Sequence, residues 1–144
     1  MIALDTNLLV YAHREDSSWH RPALRVLREL AEGPRNWALP WPCVHEFLAI
    51  VTHPKIYAPP STMAQAVAQV DAWLAAPGAV LLSEGVGHWA TLRKVLERAK
   101  MLGPRVHDAR VAALCLQHGV TELWSLDRDF GRIPELKVRN PLVR

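Results

Sequence analysis

Short apolar runs alternate with longer segments of helical periodicity along the chain, and this alternation constrains the fold more than any other feature. Apolar runs at residues 2–4, 37–39, 79–82, 123–126 and 136–138 predict buried strands. Strands that alternate with helices pair in parallel through right-handed crossovers, which predicts an α/β sandwich. In such sheets the functional site lies beyond the carboxyl ends of the strands, and this rule selects Asp5 and Asp127.

Capping residues, prolines and apolar stripes delimit six helices between these strands. In the fourth helix the stripe includes Met63, Val67 and Trp73, and in the fifth it includes Trp89, so we expect these side chains in the core or at an interface. The predicted segments are residues 8–13, Ser17-Ser18 to Gly33-Pro34, Pro42 to His53-Pro54, Ser61-Thr62 to Pro77-Gly78, Trp89 to Gly103-Pro104, and residues 106–118.

The length and composition are those of one globular domain. The chain has 144 residues, of which 50% are hydrophobic and 22% charged, and these values exclude global disorder. We therefore expect a single domain over residues 1–144. The 17 basic and 14 acidic residues give a net charge of +3, which permits an anionic partner without requiring one.

Cysteine usage and the absence of long apolar runs predict a cytoplasmic protein. Cys43 and Cys115 lie in apolar stretches, as buried, reduced thiols do. No apolar run approaches the roughly 20 residues that a membrane-spanning helix needs. The first residues also lack the basic region, apolar region and cleavage site of a signal peptide. We accordingly expect no membrane association.

A few acidic residues occupy positions where a charge is unexpected. Asp5 and Asp127 follow apolar strands, Glu46 interrupts an otherwise apolar helix, and Asp108 lies in the first turn of the most apolar helix. Each has an ordinary explanation when it is taken alone, namely a helix cap, a turn, a salt bridge or the helix dipole. One common cause is simpler than four separate explanations.

A shared cation site would be such a cause. Carboxylates that converge on one crevice repel one another, and their pKa values rise unless a cation neutralises them. An oxygen-only cluster suits Mg²⁺ or Mn²⁺, which bind carboxylates and retain several waters. Such an ion polarises a phosphoryl oxygen and supplies a hydroxide-like nucleophile near neutral pH. The pattern therefore indicates metal-assisted hydrolysis of a phosphodiester.

The motifs around these acids resemble those of the PIN-domain ribonucleases, and more narrowly the VapC-type toxins of bacterial toxin–antitoxin pairs. The resemblance covers essentially the whole chain, with the motifs in the expected order. The motifs are Asp5-Thr6-Asn7 after the first strand, a lone Glu46 in the third helix, His107-Asp108-Ala109 at the start of a late helix, and Ser125-Leu126-Asp127-Arg128-Asp129-Phe130 after the fourth strand.

This resemblance implies both a fold and a function. The implied fold is a three-layer α/β/α sandwich with a short, mainly parallel central sheet. The implied function is that of an endoribonuclease toxin that uses Mg²⁺, with Mn²⁺ as a substitute, to hydrolyse RNA. The implied partners are the RNA substrate, a second copy of the chain in a homodimer, and an antitoxin whose tail covers the site.

The resemblance also implies roles for individual residues. The catalytic and metal-binding acids would be Asp5, Glu46, Asp108 and Asp127, with Asp129 as an additional acid. The residues that orient them would be Thr6, Asn7 and Ser125, where Ser125 stands at a position that is more often threonine. The candidate substrate contacts are His107 and Arg128, and a structural role for His107 is equally open.

Two other functions remain open from the sequence. One is a PIN-fold module that binds RNA or protein without catalysis, although the intact acidic quartet argues against it. The other is a metal-dependent phosphatase, although no glycine-rich loop is present to cradle a phosphate. The spacing of Arg21, Arg25 and Arg28 puts them on one face of the second helix, where they could meet RNA, an antitoxin or only solvent.

Overall fold

Five parallel strands form the centre of the protein. The structure, a computed structural model, describes residues 1–127, 130 and 133–143. The strands are β1 (Ile2–Leu4), β2 (Trp37–Pro40), β3 (Ala79–Leu82), β4 (Glu122–Trp124) and β5 (Lys137–Arg139). All four strand pairings are parallel, and the order across the sheet is β3-β2-β1-β4-β5.

Helices connect the first four strands. They are α1 (Thr6–His13), α2 (His20–Glu32), α3 (Trp41–Val51), α4 (Met63–Leu74), α5 (His88–Ala99) and α6 (Val106–Gln117), with a 3₁₀ turn at Gly103–Arg105 before the last. The main contacts divide them into two groups, since α1 packs against α2 and α3, α3 packs against α4, and α5 packs on α6. The predicted three-layer α/β/α sandwich with a parallel sheet is therefore confirmed.

The order of the strands explains where a site can form. The chain moves outward from β1 through β2 to β3 and then crosses back to place β4 on the other side of β1. Because each crossover is right-handed, this reversal puts α5 and α6 on the opposite face of the sheet from the earlier helices. The chain reverses its direction across the sheet between β1 and β4, and this position is called the switch point. In open α/β sheets, ligands bind at the carboxyl ends of the two strands that flank it.

Two predicted boundaries differ from the structure near this switch point. Helix α1 begins at Thr6 and not at residue 8, because the Asp5 side chain caps it and accepts a hydrogen bond from the Thr6 N–H. Strand β4 ends at Trp124 and not at residue 126. The shorter strand leaves Ser125 as the first residue beyond its carboxyl end, which brings this hydroxyl into the site.

Part of the predicted core is exposed. Met63 and Val67 are 55% and 45% exposed, so these two members of the predicted stripe lie outside the core. The buried stripe of α4 is narrower than predicted and consists of residues 66, 70 and 73, with Leu74 partly buried beside them. Trp73 is buried as predicted, whereas Trp89 on α5 is 65% exposed and does not belong to the core.

Aromatic contacts join three helices in the core. Phe47 on α3 is fully buried and packs edge-on against His13 of α1 and Trp73 of α4, with ring centroids 5.3 and 4.8 Å apart. This cluster holds α3, and with it Glu46, against the rest of the helical layer. Within the described part of the chain, no helix is both long and apolar enough to span a membrane.

We expect Phe47→Ala to lower the free energy of unfolding by about 3–5 kcal/mol, because it leaves a cavity at the junction of three helices. Chemical denaturation measures this change. Val86→Ala is the matched control, since Val86 is fully exposed and its truncation should change stability by less than about 0.5 kcal/mol. Equal, small losses for both variants would show that the aromatic cluster is not a main support of the fold.

Candidate active site

Asp5 occupies the centre of the site, at the carboxyl end of β1. Asp5 is only 9% exposed. Its main-chain N–H donates a hydrogen bond to the carbonyl oxygen of Trp124 at 3.0 Å, which continues the pairing of β1 with β4. Carboxylate oxygen Oδ1 accepts hydrogen bonds from the Thr6 N–H at 2.8 Å and from the Cys43 thiol at 3.7 Å. Oxygen Oδ2 accepts one from the Ser125 hydroxyl at 2.7 Å. All these donors are neutral.

The Ser125 hydroxyl links the ends of β1 and β4. It donates its only proton to Asp5 and accepts hydrogen bonds from Asn7 Nδ2 at 3.2 Å and from the Asp127 N–H at 3.0 Å. One donor and two acceptor positions are all that a hydroxyl has, so Ser125 is saturated. Asn7 Oδ1 in turn accepts from the Leu126 N–H at 3.4 Å. The loop after β4 is therefore tied to α1 on both sides of Ser125.

The four acids singled out by sequence line one pocket of about 240 Å³. Asp5 comes from the end of β1, Glu46 from the middle of α3, Asp108 from the first turn of α6 and Asp127 from the loop after β4. Glu46 lies at the exposed rim, whereas Asp108 and Asp127 are partly buried. Residues separated by more than 100 positions thus converge at the switch point of the sheet.

Apart from Ser125, the remaining predicted site residues fall into two groups. Thr6, Asn7 and His107 also line the pocket, with His107 exposed at its edge. Thr6 contacts Asp5 through its main-chain N–H, and Asn7 acts on Asp5 only through Ser125. Two predictions, for Arg128 and Asp129, lie outside the described residues.

Burial and mutual repulsion raise the pKa values of three of these carboxyls. Burial, then the charges of Asp127 and Asp5, raise the pKa of Asp108 to about 6. Burial also raises the pKa of Asp5, against the opposing effect of its hydrogen bonds. The pKa of Glu46 is raised by burial and by Asp5, and His107 partly offsets this. A cation in the pocket would relieve this electrostatic cost.

The donor set fits a hydrated magnesium-like ion better than a tightly caged one. Among the described residues, no three His, Cys, Asp or Glu side chains form a ready-made ligand group. Mg²⁺ usually retains several waters and binds through one or two carboxylates, so it does not require such a group. Zn²⁺ sites, by contrast, generally have at least three protein ligands. The acidic and imidazole side chains of the pocket are four carboxylates and His107, and a set dominated by carboxylates suits Mg²⁺ or Mn²⁺.

Sequence reasoning missed several residues of this site. The Cys43 thiol was predicted only to be buried, yet it donates to the central carboxylate, and its spacing of three residues from Glu46 could have placed it on the same face of α3. Tyr11 and Tyr57 also line the pocket. Tyr57 belongs to the loop between α3 and α4, and nothing in the local sequence signals its position.

Comparison with known proteins agrees with this geometry. The PIN-domain family model matches residues 2–136. The chain is 36% identical to VapC ribonuclease Mb2897 of Mycobacterium bovis over 99% of this chain and 96% of the relative. It is 31% identical to ribonuclease VapC48 of Mycobacterium tuberculosis over 95% of this chain and 94% of the relative.

Two solved structures share the fold. The toxin VapC20 of Mycobacterium tuberculosis, which cleaves the sarcin–ricin loop, superposes with a TM-score of 0.70 at 16% identity over 96% of this chain and 99% of the other. VapBC2 of Rickettsia felis, bound to a promoter DNA fragment, gives a TM-score of 0.65 at 21% identity over 96% of this chain and 98% of the other.

The sandwich and its acidic pocket are those of a PIN domain. The chain belongs to the PIN-domain family and, within it, to the VapC ribonucleases.

We expect Asp108→Asn to stabilise the protein near neutral pH in metal-free buffer. The pKa of Asp108 is about 6 in the folded protein and 3.8 for an unperturbed aspartate. The folded state therefore binds the proton more tightly, and wild-type stability falls as the pH rises from about 4 to about 6. The variant lacks this loss, so its melting temperature should exceed the wild-type value near neutral pH and approach it near pH 4.

Thermal unfolding in EDTA across this pH range measures the effect. Asp71→Asn is the control, because Asp71 is an exposed aspartate on α4 far from the pocket. A gap between Asp108→Asn and wild type that does not depend on pH would show that charge repulsion is not its cause.

Proposed function

We propose that the chain is a divalent-metal-dependent endoribonuclease and the toxin of a toxin–antitoxin pair. The observation that carries the proposal is the convergence of four carboxylates in one pocket at the switch point of the sheet. Membership in the VapC ribonucleases supports RNA as the substrate. No helix that could span a membrane occurs in the described ranges, and we expect the protein to act in the cytoplasm, as the sequence predicts.

Asp5 and Asp108 are the residues best placed to hold the ion. Asp5 is oriented by three neutral donors, and Asp108 lies at the start of α6 with a raised pKa that a nearby cation would lower. Asp127 and Glu46 complete the acidic lining. Bound Mg²⁺ or Mn²⁺ would supply an activated water and neutralise charge on the phosphate.

The protein's own contribution is to position these groups before the substrate arrives. The Ser125 hydroxyl keeps both Asp5 and the loop bearing Asp127 in place, so neither has to reorganise during the reaction. Glu46 at the rim is close enough to His107 for the imidazole to lower the pKa of the Glu46 carboxyl. His107, which is exposed at the edge of the pocket, is therefore a candidate contact to the incoming RNA.

The two alternative functions are less well supported. A binding module without catalysis would not need a pocket in which burial and mutual repulsion raise the pKa values of Asp5, Glu46 and Asp108 at the cost of stability. A phosphatase for small esters remains a chemical alternative, and the relatives argue against it because they are ribonucleases. The test below separates all three.

We expect wild-type protein to cleave structured RNA in Mg²⁺ or Mn²⁺ and not in EDTA. Asp5→Asn keeps the size of the side chain but weakens a metal ligand, and it should reduce cleavage by more than about 100-fold, because loss of even an outer-shell partner costs 10–100-fold. Gel analysis of the RNA products measures this. Thermal unfolding should show that the variant remains folded.

Two further measurements distinguish the proposed ribonuclease from a phosphatase and from a binding module. Hydrolysis of p-nitrophenyl phosphate without RNA cleavage would indicate a phosphatase, and RNA binding without cleavage in any metal would indicate a binding module. Wild-type rates in Asp5→Asn would show that Asp5 is not a metal ligand. Trp89→Ala, which alters an exposed residue outside the pocket, should cleave RNA at the wild-type rate.

An exposed arginine surface on α2 is our candidate for the antitoxin. Arg21, Arg25 and Arg28 are exposed and, with Leu24, Glu29 and Glu32, border a surface pocket of about 340 Å³ in which the arginines outnumber the acids. Arginine forms bidentate contacts with carboxylates, and Leu24 adds an apolar contact. An acidic peptide segment fits this combination.

We also retain a homodimer as part of the proposed assembly.

We expect the triple change of Arg21, Arg25 and Arg28 to Gln to weaken neutralisation by the antitoxin while cleavage by the free toxin persists. If the arginines instead bind RNA, KM should rise, and the salt dependence should flatten by about one unit of slope per lost phosphate contact. Kinetics with and without antitoxin measure both quantities. The control is the triple change of Arg93, Lys94 and Arg98 on α5, which removes the same charge elsewhere. If neither quantity changes, the α2 surface is only solvated.

A further inference from the structure

Part of the lining of the acidic pocket is apolar and aromatic. Its residues come from α1, α3, α6 and the loop between α3 and α4, and they are Val10, Tyr11, Ile50, Tyr57 and Val111. A metal site alone requires only the oxygen side. The additional apolar side chains in the same cavity indicate a ligand with two parts. Its anionic part would meet the cation held by the acids, and its flat or apolar part would meet the apolar and aromatic side chains.

Tyr57 is held rigidly in this wall. The Arg14 guanidinium lies over its ring, 4.2 Å from the centroid. Arg14 is itself fixed by the Asp16 carboxylate, to which its Nε and Nη2 donate at 2.9 and 2.6 Å, and it also donates to Pro59 O at 3.0 Å and to Ser61 Oγ at 3.3 Å. Tyr57 is only partly buried and lines the pocket, so part of its ring remains available there while Arg14 covers one face.

The neighbouring phenol extends this surface. Tyr11 lies on α1, lines the same pocket and is near enough to Tyr57 to contribute, after burial, to raising its pKa. Both side chains are partly buried, and a tyrosine phenol, with an ordinary pKa of about 10, is neutral at physiological pH. A neutral aromatic surface does not repel a phosphate chain and can stack on any base, because every base has a π-face.

The volume of the cavity limits the size of the ligand that it can hold. Its volume of about 240 Å³ is below the roughly 300–1,000 Å³ of pockets that hold drug-sized molecules. It therefore has room for one unit of a polymer. A nucleotide supplies the required pair of groups, with a phosphate for the acidic side and a flat base for the aromatic side.

We propose that Tyr57, supported by Arg14 and flanked by Tyr11, forms a stacking site for the nucleobase next to the scissile phosphate. The proposal rests on the proposed function, since it names the part of an RNA substrate that this pocket holds. It makes Tyr57 a determinant of substrate binding and not of the chemical step. The base beside the cleaved bond then contributes to KM, whereas the carboxylates determine kcat.

The test combines protein variants with altered substrates. The substrates are the oligoribonucleotide that wild-type protein cleaves and the same oligonucleotide with an abasic ribose on one or the other side of the cleaved bond. For wild type, we expect the abasic unit at one of these positions to raise KM roughly tenfold. Tyr57→Ala should raise KM for the intact substrate by a similar factor, and the abasic change should then add little. Its kcat should change much less.

Matched variants of Tyr57 separate the effect of ring stacking from the effect of side-chain volume. Tyr57→Phe keeps the ring and should retain the preference for the intact substrate, whereas Tyr57→Leu keeps volume without a flat face and should lose it. Trp89→Ala removes an exposed aromatic ring outside the pocket and should show the wild-type preference. Melting temperatures establish that each variant is folded, and the wild-type comparison of intact and abasic substrates needs no variant at all.

Several outcomes would overturn the proposal. Equal wild-type KM values for intact and abasic substrates would exclude stacking while leaving RNA cleavage intact. Additive losses in Tyr57→Ala and the abasic substrate would show that Tyr57 acts on something other than that base. Weakened antitoxin neutralisation in Tyr57→Ala, with base preference unchanged, would assign the wall to the protein partner. If wild type cleaves no RNA in any metal, the proposed function itself fails and the stacking site fails with it.

Discussion

The hydrogen bond from the Ser125 hydroxyl to the Asp5 carboxylate is the interaction on which the site depends. It joins the carboxyl ends of β1 and β4 at 2.7 Å, and the same hydroxyl accepts from Asn7 and from the Asp127 N–H. Because all the bonding positions of this hydroxyl are used, none of its partners can move without leaving a buried polar group unsatisfied. Asp5, Asn7 and the loop bearing Asp127 therefore form one rigid unit.

That unit is possible only because of the strand order. The register pairs Leu4 with Trp124, so Asp5 and Ser125 are the first residues after two neighbouring parallel strands. The reversal of chain direction at β1 also separates the helices into two layers, and α3 and α6 bring Glu46 and Asp108 to the same edge. The topology thus assembles an acidic pocket from four distant segments without any local sequence motif that joins them.

This pocket works against the stability of the folded state. Its carboxyl groups are buried and repel one another, and the raised pKa values of Asp5, Asp108 and Glu46 record that cost. The surrounding core compensates with fully buried residues such as Phe47 and Leu4. A site that is electrostatically unfavourable when empty gains most from a cation, which is consistent with the proposed metal-dependent chemistry.

The sequence by itself determined the alternation of strands and helices, because apolar periodicity reflects which faces are buried. The sequence also identified Asp5, Glu46, Asp108 and Asp127, because an acidic residue in an apolar segment is rarely buried without a partner. Only the tertiary structure decided the exposure of Met63 and Val67, the thiol contact of Cys43 and the place of Tyr57 in the pocket wall. These depend on which helix face meets a neighbour and on how a loop returns to the site, and such long-range contacts leave no periodic signal in the chain.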